Sequence, residues 1–270
     1  MKLQDLIIKI EKKYPRSLAE SWDNVGLMIG DRKQDIQTIL VALEINEAVV
    51  EEAIVNKVNL IFTHHPFFFT KLNQITSDSL KGALSLRLIQ NHIAVYSAHT
   101  NYDIAFDGMN DAFIQRIGYR SEEVFLPVAN CEEWYLKEHN NQTPGLGRIF
   151  TLKDAMTLSQ FTACLKNSLN MDYIRFVGDA NSLVKRIAVI TGAAADMYAD
   201  AKAAGADALI SGDMKYHIAH DALDLGMNVI DCGHFETENL FRDSMREFLS
   251  SICSLTVLSS TTNLNPFQVI

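Results

Sequence analysis

Short apolar runs alternate along this chain with longer stretches in which apolar residues recur every three or four positions. TILVAL (38–43) is followed by NEAVVEEAIVNKV and then by NLIFT (59–63). The outer two read as strands and the middle one as a helix, because a continuous apolar run of four to eight residues suits a strand covered on both faces. A helix SLKGALSLRLIQN (79–91) and a strand IAVYSA (93–98) come next. Residues 121–180 break the rhythm with the turn-rich HNNQTPGLGR, a helix near 157–169 and a strand YIRFVGD. RIAVIT (186–191) restarts it, followed by helix AADMYADAKAAG, strand ADALIS, helix HIAHDALDLG and strand NVIDCG. Such alternation predicts an α/β protein.

The restart has the form of an internal duplication of a βαβαβ unit. Adding 148 takes Ile39 to Ile187, Val41 to Val189, Ala53 to Ala201 and Thr63 to Ser211; adding 135 takes His99 to His234 and Asp103 to Glu238. Identity between the halves is low, and chance alignment of two similar patterns is the competing reading.

Composition narrows the class. The 270 residues are 48% hydrophobic and 21% charged, which suits a chain that buries a sizeable core. No apolar run is long enough to span a bilayer. In MKLQDLIIKIEKKYP, Leu3, Leu6, Ile7 and Ile10 form a helical stripe interrupted by charges rather than a signal-peptide core. The expected location is cytoplasmic, where the widely spaced Cys131, Cys164, Cys232 and Cys253 read as reduced and mostly buried. A formal charge of −9 and the lack of a Lys/Arg run argue against general nucleic-acid binding.

Candidate chemistry gathers where the apolar runs stop. Four of them end in polar residues: LIFTHH, VYSAHTNYD, LISGDMKYH and VIDCGHFETE. Open α/β sheets place ligands beyond strand ends. His99 precedes Asp103, and His234 precedes Glu238, by four positions; on a helical turn each pair shares one face. Histidine with carboxylate suits zinc, manganese, iron or nickel. The adjacent His64 and His65 reach two ions more readily than one, which suggests a metal pair that activates water. VITGAAAD (189–196) is a small-residue turn that opens a helix but lacks a full glycine fingerprint.

Five blocks, ESWDNVGLMIGD (20–31), THHP (63–66), SAHTNYD (97–103), ISGDMKYH (210–217) and GHFETE (233–238), resemble in order the signature blocks of the NIF-three-like proteins. These are often labelled GTP cyclohydrolase I type 2 homologues. GLGR and IRFVGD fit as well. The resemblance implies a two-lobed, three-layer α/β/α subunit with mixed sheets. An N-terminal lobe over 1–125 would carry the double histidine and HTNYD. A second lobe over 126–270 would carry SGDMKYH and GHFETE, with its C-terminal part able to pack back on the first. It further implies a homohexamer and two divalent metal ions per subunit, held by His64, His65, Asp103, His234 and Glu238, with Glu238 as the bridge. Longer members carry an inserted domain for which this chain has no room. Glu44 in VALEIN stands where the family pattern leads one to expect aspartate.

The other residues read less sharply. His99 reads as a residue that supports a metal ligand or carries a proton, or else as structural. WDNVG reads as a turn, near the pocket by resemblance only. Asp213, Lys215 and His217 line the substrate side or cap a helix. Cys232 reads as core, and Phe67, Phe68 and Phe69 as packing or subunit contact rather than a base-stacking platform. The expected function is a metal-dependent hydrolase that uses a metal-bridging hydroxide on an anionic nucleotide-like or phosphorylated small molecule. The alternatives are a metal-handling protein and a ring scaffold without turnover of its own.

Overall fold

The architecture was obtained as a computed structural model that describes residues 1–268; the last two positions of the 126–270 stretch lie outside the described residues. In chain order the elements are α1 (Leu3–Lys13), β1 (Gly26–Ile29), β2 (Thr38–Ala42), α2 (Glu47–Val55), β3 (Leu60–Thr63), α3 (Leu80–Gln90), β4 (Ala94–Ser97) and α4 (Thr100–Ile104). There follow α5 (Met109–Arg116), β5 (Glu123–Pro127), α6 (Glu133–Glu138), β6 (Gly145–Thr157), α7 (Leu158–Leu169), β7 (Arg175–Val177) and β8 (Leu183–Val189). The last are α8 (Tyr198–Ala203), β9 (Ala208–Ser211), α9 (Tyr216–Leu225), β10 (Asn228–Asp231), α10 (His234–Glu238), α11 (Phe241–Ile252) and β11 (Thr256–Ser259). Among the described residues no helix is long and apolar enough to cross a membrane.

The contacts divide the chain into two compact units, Met1–Tyr102 with Phe241–Pro266, and Asp103–Leu240. Each holds one mixed sheet. The first runs β1-β4-β3-β2-β11, with β1 antiparallel and the rest parallel. The second runs β5-β6-β8-β9-β10-β7, with β8, β9 and β10 paired in parallel and the pairings β5–β6, β6–β8 and β10–β7 antiparallel.

The uninterrupted apolar runs are central strands. Every residue of β3, β4 and β9 is buried. Successive side chains of a strand point to opposite faces, and in the second unit they fill two separate cores. Ile187, Val189, Ile210 and Ile230 pack with Phe161 and Leu165 of α7. Ala188, Leu209 and Val229 pack with Ala201 of α8 and Ala222 of α9. The sheet is therefore the middle of three layers, and each large side chain buried there contributes roughly 1.5–3 kcal/mol. Helices α2, α3 and α7 begin where short polar side chains satisfy their first N–H groups: Asn46 accepts from Val49 N, Ser79 from Gly82 N, and Thr157 with Gln160 forms a capping box.

The duplication is present in the topology. β1 lies antiparallel beside β4 and precedes a β2-α2-β3-α3-β4 series; β7 lies antiparallel beside β10 and precedes β8-α8-β9-α9-β10. The ladders give its register. Val41 pairs with Phe62 as Val189 pairs with Ile210, an offset of 148. Thr63 pairs with Ser97 as Ser211 pairs with Asp231, so from the third parallel strand onward the offset is 134. The bonds Ala98 N to Thr63 O and Cys232 N to Ser211 O agree. This corrects the sequence alignment by one residue: His234 corresponds to Thr100 and Gly233 to His99, while Asp103 corresponds to Thr237. Matching histidine to histidine had set the offset by side chain, whereas the ladder partners set it by backbone.

Candidate metal centre

In the first unit, β3 runs directly into His64 and His65, and β4 into His99. Each of the three offers a ring nitrogen within 4.8 Å of the others. His64 is fully buried against Phe241, with ring centroids 5.2 Å apart. Its Nδ1–H donates to Ala98 O at 2.9 Å. A carbonyl can only accept, so the neutral ring carries its lone pair on Nε2. Backbone bonds at the strand ends hold the loop: His65 N donates to Leu43 O, and Thr63 Oγ1 to His65 O.

His99 is set in the same way by a residue distant in sequence. Its Nδ1 lies 3.0 Å from Asp23 Oδ1, and Asp23 Oδ2 accepts from Thr100 N at 3.0 Å and Thr100 Oγ1 at 2.5 Å. The Asp23 side chain is wholly buried. Burial alone would raise its pKa. The hydrogen bond and charge of His99 and the two Thr100 donors outweigh that and hold it at about 2. WDNVG is thus more than a turn, since it supplies the carboxylate that orients His99. Glu44 Oε2 stands 3.7 Å from His65 Nδ1, close enough for charge attraction but not a hydrogen bond.

In the second unit, β10 ends at Asp231, and α10, which starts after Gly233, carries His234 and Glu238 one turn apart. His234 Nε2 and Glu238 Oε2 are 2.9 Å apart, and His234 Nδ1 is 2.8 Å from Asp213 Oδ2. Asp213 adopts a left-handed backbone conformation, φ 53°, to present that carboxylate, an arrangement that Asp tolerates better than most residues. It orients an imidazole rather than capping α9, whose N-cap is Lys215. A Cβ at Gly192, φ 74°, would overlap Glu238 Oε1, so the glycine makes the recess into which this carboxylate fits.

Asp103, on α4, is buried, and its carbonyl accepts from Asn110 Nδ2 at 3.0 Å. Asn110 Oδ1 in turn accepts from Thr191 N; Gly192 N donates to Thr237 Oγ1, which donates to His234 O at 2.9 Å. These hydrogen bonds link Asp103, the Thr191–Gly192 loop and α10 within this unit. Arg148 of the GLGR block adds to them. Only 2% exposed, it pairs with Asp111 at 3.0 Å and donates to Ala105 O at 2.7 Å, just beyond α4.

The donor set fits divalent transition metals. Imidazoles whose Nδ1 is engaged by an oxygen are the usual form of a metal-binding histidine. His234 Nε2 and Glu238 Oε2, 2.9 Å apart, are close enough to serve one ion together. Asp23, Asp213, Asn110 and Thr237 were not identified by sequence reasoning as supports of this chemistry; the one hint was their place in the WDNVG, SGDMKYH, HTNYD-flanking and GHFETE segments.

Comparison with known proteins bears on these residues. The family model described as Duf34/NIF3 (NGG1p interacting factor 3) matches residues 1–266. A Clostridium perfringens protein named GTP cyclohydrolase 1 type 2 homolog is 40% identical over 238 residues, covering 88% of this chain and 87% of its own. A Lactococcus lactis protein of the same name is 33% identical and covers 99% of each. Among solved structures, a Staphylococcus aureus protein superposes with a TM-score of 0.90 at 31% identity, covering 100% of this chain and 99% of that one. Reduced HcgD from Methanocaldococcus jannaschii superposes with a TM-score of 0.79 at 29% identity, covering 97% of this chain and 98% of its own.

Proposed function

Because this chain belongs to the Duf34/NIF3 family, we propose that it is a metal-dependent hydrolase with a dinuclear centre acting on an anionic, nucleotide-like or phosphorylated small molecule. The observation that carries the reading is the cluster of three imidazoles at the ends of β3 and β4, within 4.8 Å of one another. His64, His65, Asp103, His234 and Glu238 are the proposed ligands, at the positions the family's blocks assign, for zinc, iron, manganese or nickel. Two such ions, when bound, supply Lewis acidity and lower the pKa of water toward about 7.

The chain's own residues do the rest. Asp23 fixes the His99 tautomer so that its Nε2 can take up a proton, the part we assign to it. Asp213 holds the ring plane of His234, and the recess at Gly192 holds the Glu238 carboxylate. Two dications outweigh two carboxylate ligands, which favours anionic substrates even in a chain of formal charge −9. The relatives' name, GTP cyclohydrolase 1 type 2 homolog, places purine nucleotides first among the compounds to assay. We further propose a cytoplasmic homohexamer, to be read from light scattering.

Elemental analysis of purified protein tests the reading: about two ions per subunit are expected, with His64→Ala and Glu238→Ala each lowering occupancy. A folded protein that takes up no transition metal ends it. The partly open side chains of His65 and His234 favour a second reading, a metal-handling protein without turnover. Rapid loss of metal to a chelator, with no product from any nucleotide, would select that one.

A further inference from the structure

Two large aromatic side chains next to the histidine cluster stand in solvent. Trp22 is 60% exposed and Phe69 61%. Their ring centroids are 5.9 Å apart with planes tilted by 56°, so they form an open corner rather than a stack. Both approach His99 edge to face, at 6.1 and 6.5 Å. Phe67, by contrast, is buried beneath Lys81 and serves packing, so the three consecutive phenylalanines do not share one role.

The backbone beneath each exposed ring is pinned. Trp22 adjoins Asp23, which is locked onto His99 and Thr100. Phe69 adjoins Phe68, whose carbonyl accepts from Asn24 Nδ2 at 2.7 Å. A corner held open in this way has already met part of the ordering cost of binding. It forms a wall of a cavity of about 990 Å³ that is also lined by Lys71, Asn73 and Gln74. That volume is at the upper end of the usual range for small-molecule sites.

We infer that Trp22 and Phe69 receive the ring of a planar heteroaromatic ligand bearing an anionic group, that is, a nucleoside phosphate. The inference rests on the reading of the histidine cluster as a reaction centre. A ring stacked on one face of the corner presents its edge to the other, an arrangement that aromatic quadrupoles favour. Lys71 supplies positive charge for the phosphate, and the shared contact with His99 directs the ligand toward the candidate metal centre. The amides of Asn73 and Gln74 supply donors and acceptors for the heterocycle's edge.

Trp22 reports on this directly. The chain has two tryptophans, so Trp134→Phe leaves Trp22 as the sole indole fluorophore. GMP, AMP and UMP are titrated into the full-length Trp134→Phe protein, both stripped of metal and loaded with manganese, with ribose 5-phosphate as the ringless control. At least one nucleotide is expected to quench Trp22 while ribose 5-phosphate does not. Adding Phe69→Leu should weaken nucleotide binding roughly 5- to 100-fold with an unchanged circular dichroism spectrum. Absence of quenching by all three nucleotides overturns the inference. So does a Trp22 shielded from acrylamide and indifferent to nucleotides, which would mean that a second copy of the chain covers the corner. Quenching in protein that takes up none of zinc, iron, manganese or nickel leaves this inference standing and ends the metal reading; metal uptake without quenching does the reverse.

Discussion

The two repeats have the same backbone register and treat their strand ends in opposite ways. Beyond the three parallel strands, the first repeat places Glu44, His64 and His99; the ladder partners align these with Gly192, Gly212 and Gly233 of the second. In the second repeat the glycines let backbone close on backbone. A Cβ at Gly212 would lie 2.6 Å from Gly233 C and from His234 N, and Gly212 N donates to Gly192 O at 2.8 Å. Functional groups then come from the helical turn that follows, His234 and Glu238. In the first repeat the strand ends themselves carry the imidazoles. One scaffold thus offers nitrogen donors from its strands in one copy and a carboxylate recess made by missing side chains in the other.

Removing the arginine that supports the second unit should have the largest effect. Arg148→Met leaves the buried Asp111 without its cationic partner, a loss of about 3–5 kcal/mol, visible as a lower denaturant midpoint. Next comes Gly192→Ala, which places a Cβ where Glu238 Oε1 lies and strains a residue at positive φ. We expect about 1–3 kcal/mol from the strain and a fall in bound metal by elemental analysis. Asp23→Asn tests the first repeat. The Asp23 carboxylate is held at about 2, so its contribution is full above the ordinary aspartate range and disappears as the pH falls through that value. Wild type should exceed the variant by about 2 kcal/mol near neutral pH, with the difference closing between about pH 4 and 2 in urea melts. The smallest effect is expected for Glu44→Gly, which copies the second repeat's residue into the first. Glu44 is half-exposed, and its 3.7 Å approach to His65 is beyond hydrogen-bond range, so a change of under about 1 kcal/mol is expected. A large loss there would break the comparison.

The elements were legible because their apolar runs are strand-length and their stripes helix-length. His64, His65, His234 and Glu238 stood out because polar groups interrupt apolar runs at strand ends. What escaped was whatever depended on backbone register or remote partners. The equivalence of His99 with Gly233 requires the Ser97–Thr63 pairing. Asp23 meets His99 across 76 positions, and Asp213 reaches His234 only through a left-handed residue. Phe69 lies in a run of three phenylalanines whose different burial no periodicity could distinguish. GLGR was seen as a block, but the depth of Arg148 was not, since a buried arginine is rare without a paired carboxylate.

The last strand, β11, pairs with β2, and Phe241 of the returning segment lies against His64. During synthesis the ribosome therefore releases all of residues 103–240 before the earliest-made sheet can gain its final edge. Translation order is inverted: the portion begun first is finished last, and an outer strand of it stays uncovered meanwhile. A nascent chain stalled short of residue 256 would expose that edge to other polypeptides, making residues 241–259 a checkpoint on the integrity of the histidine pocket of the first unit.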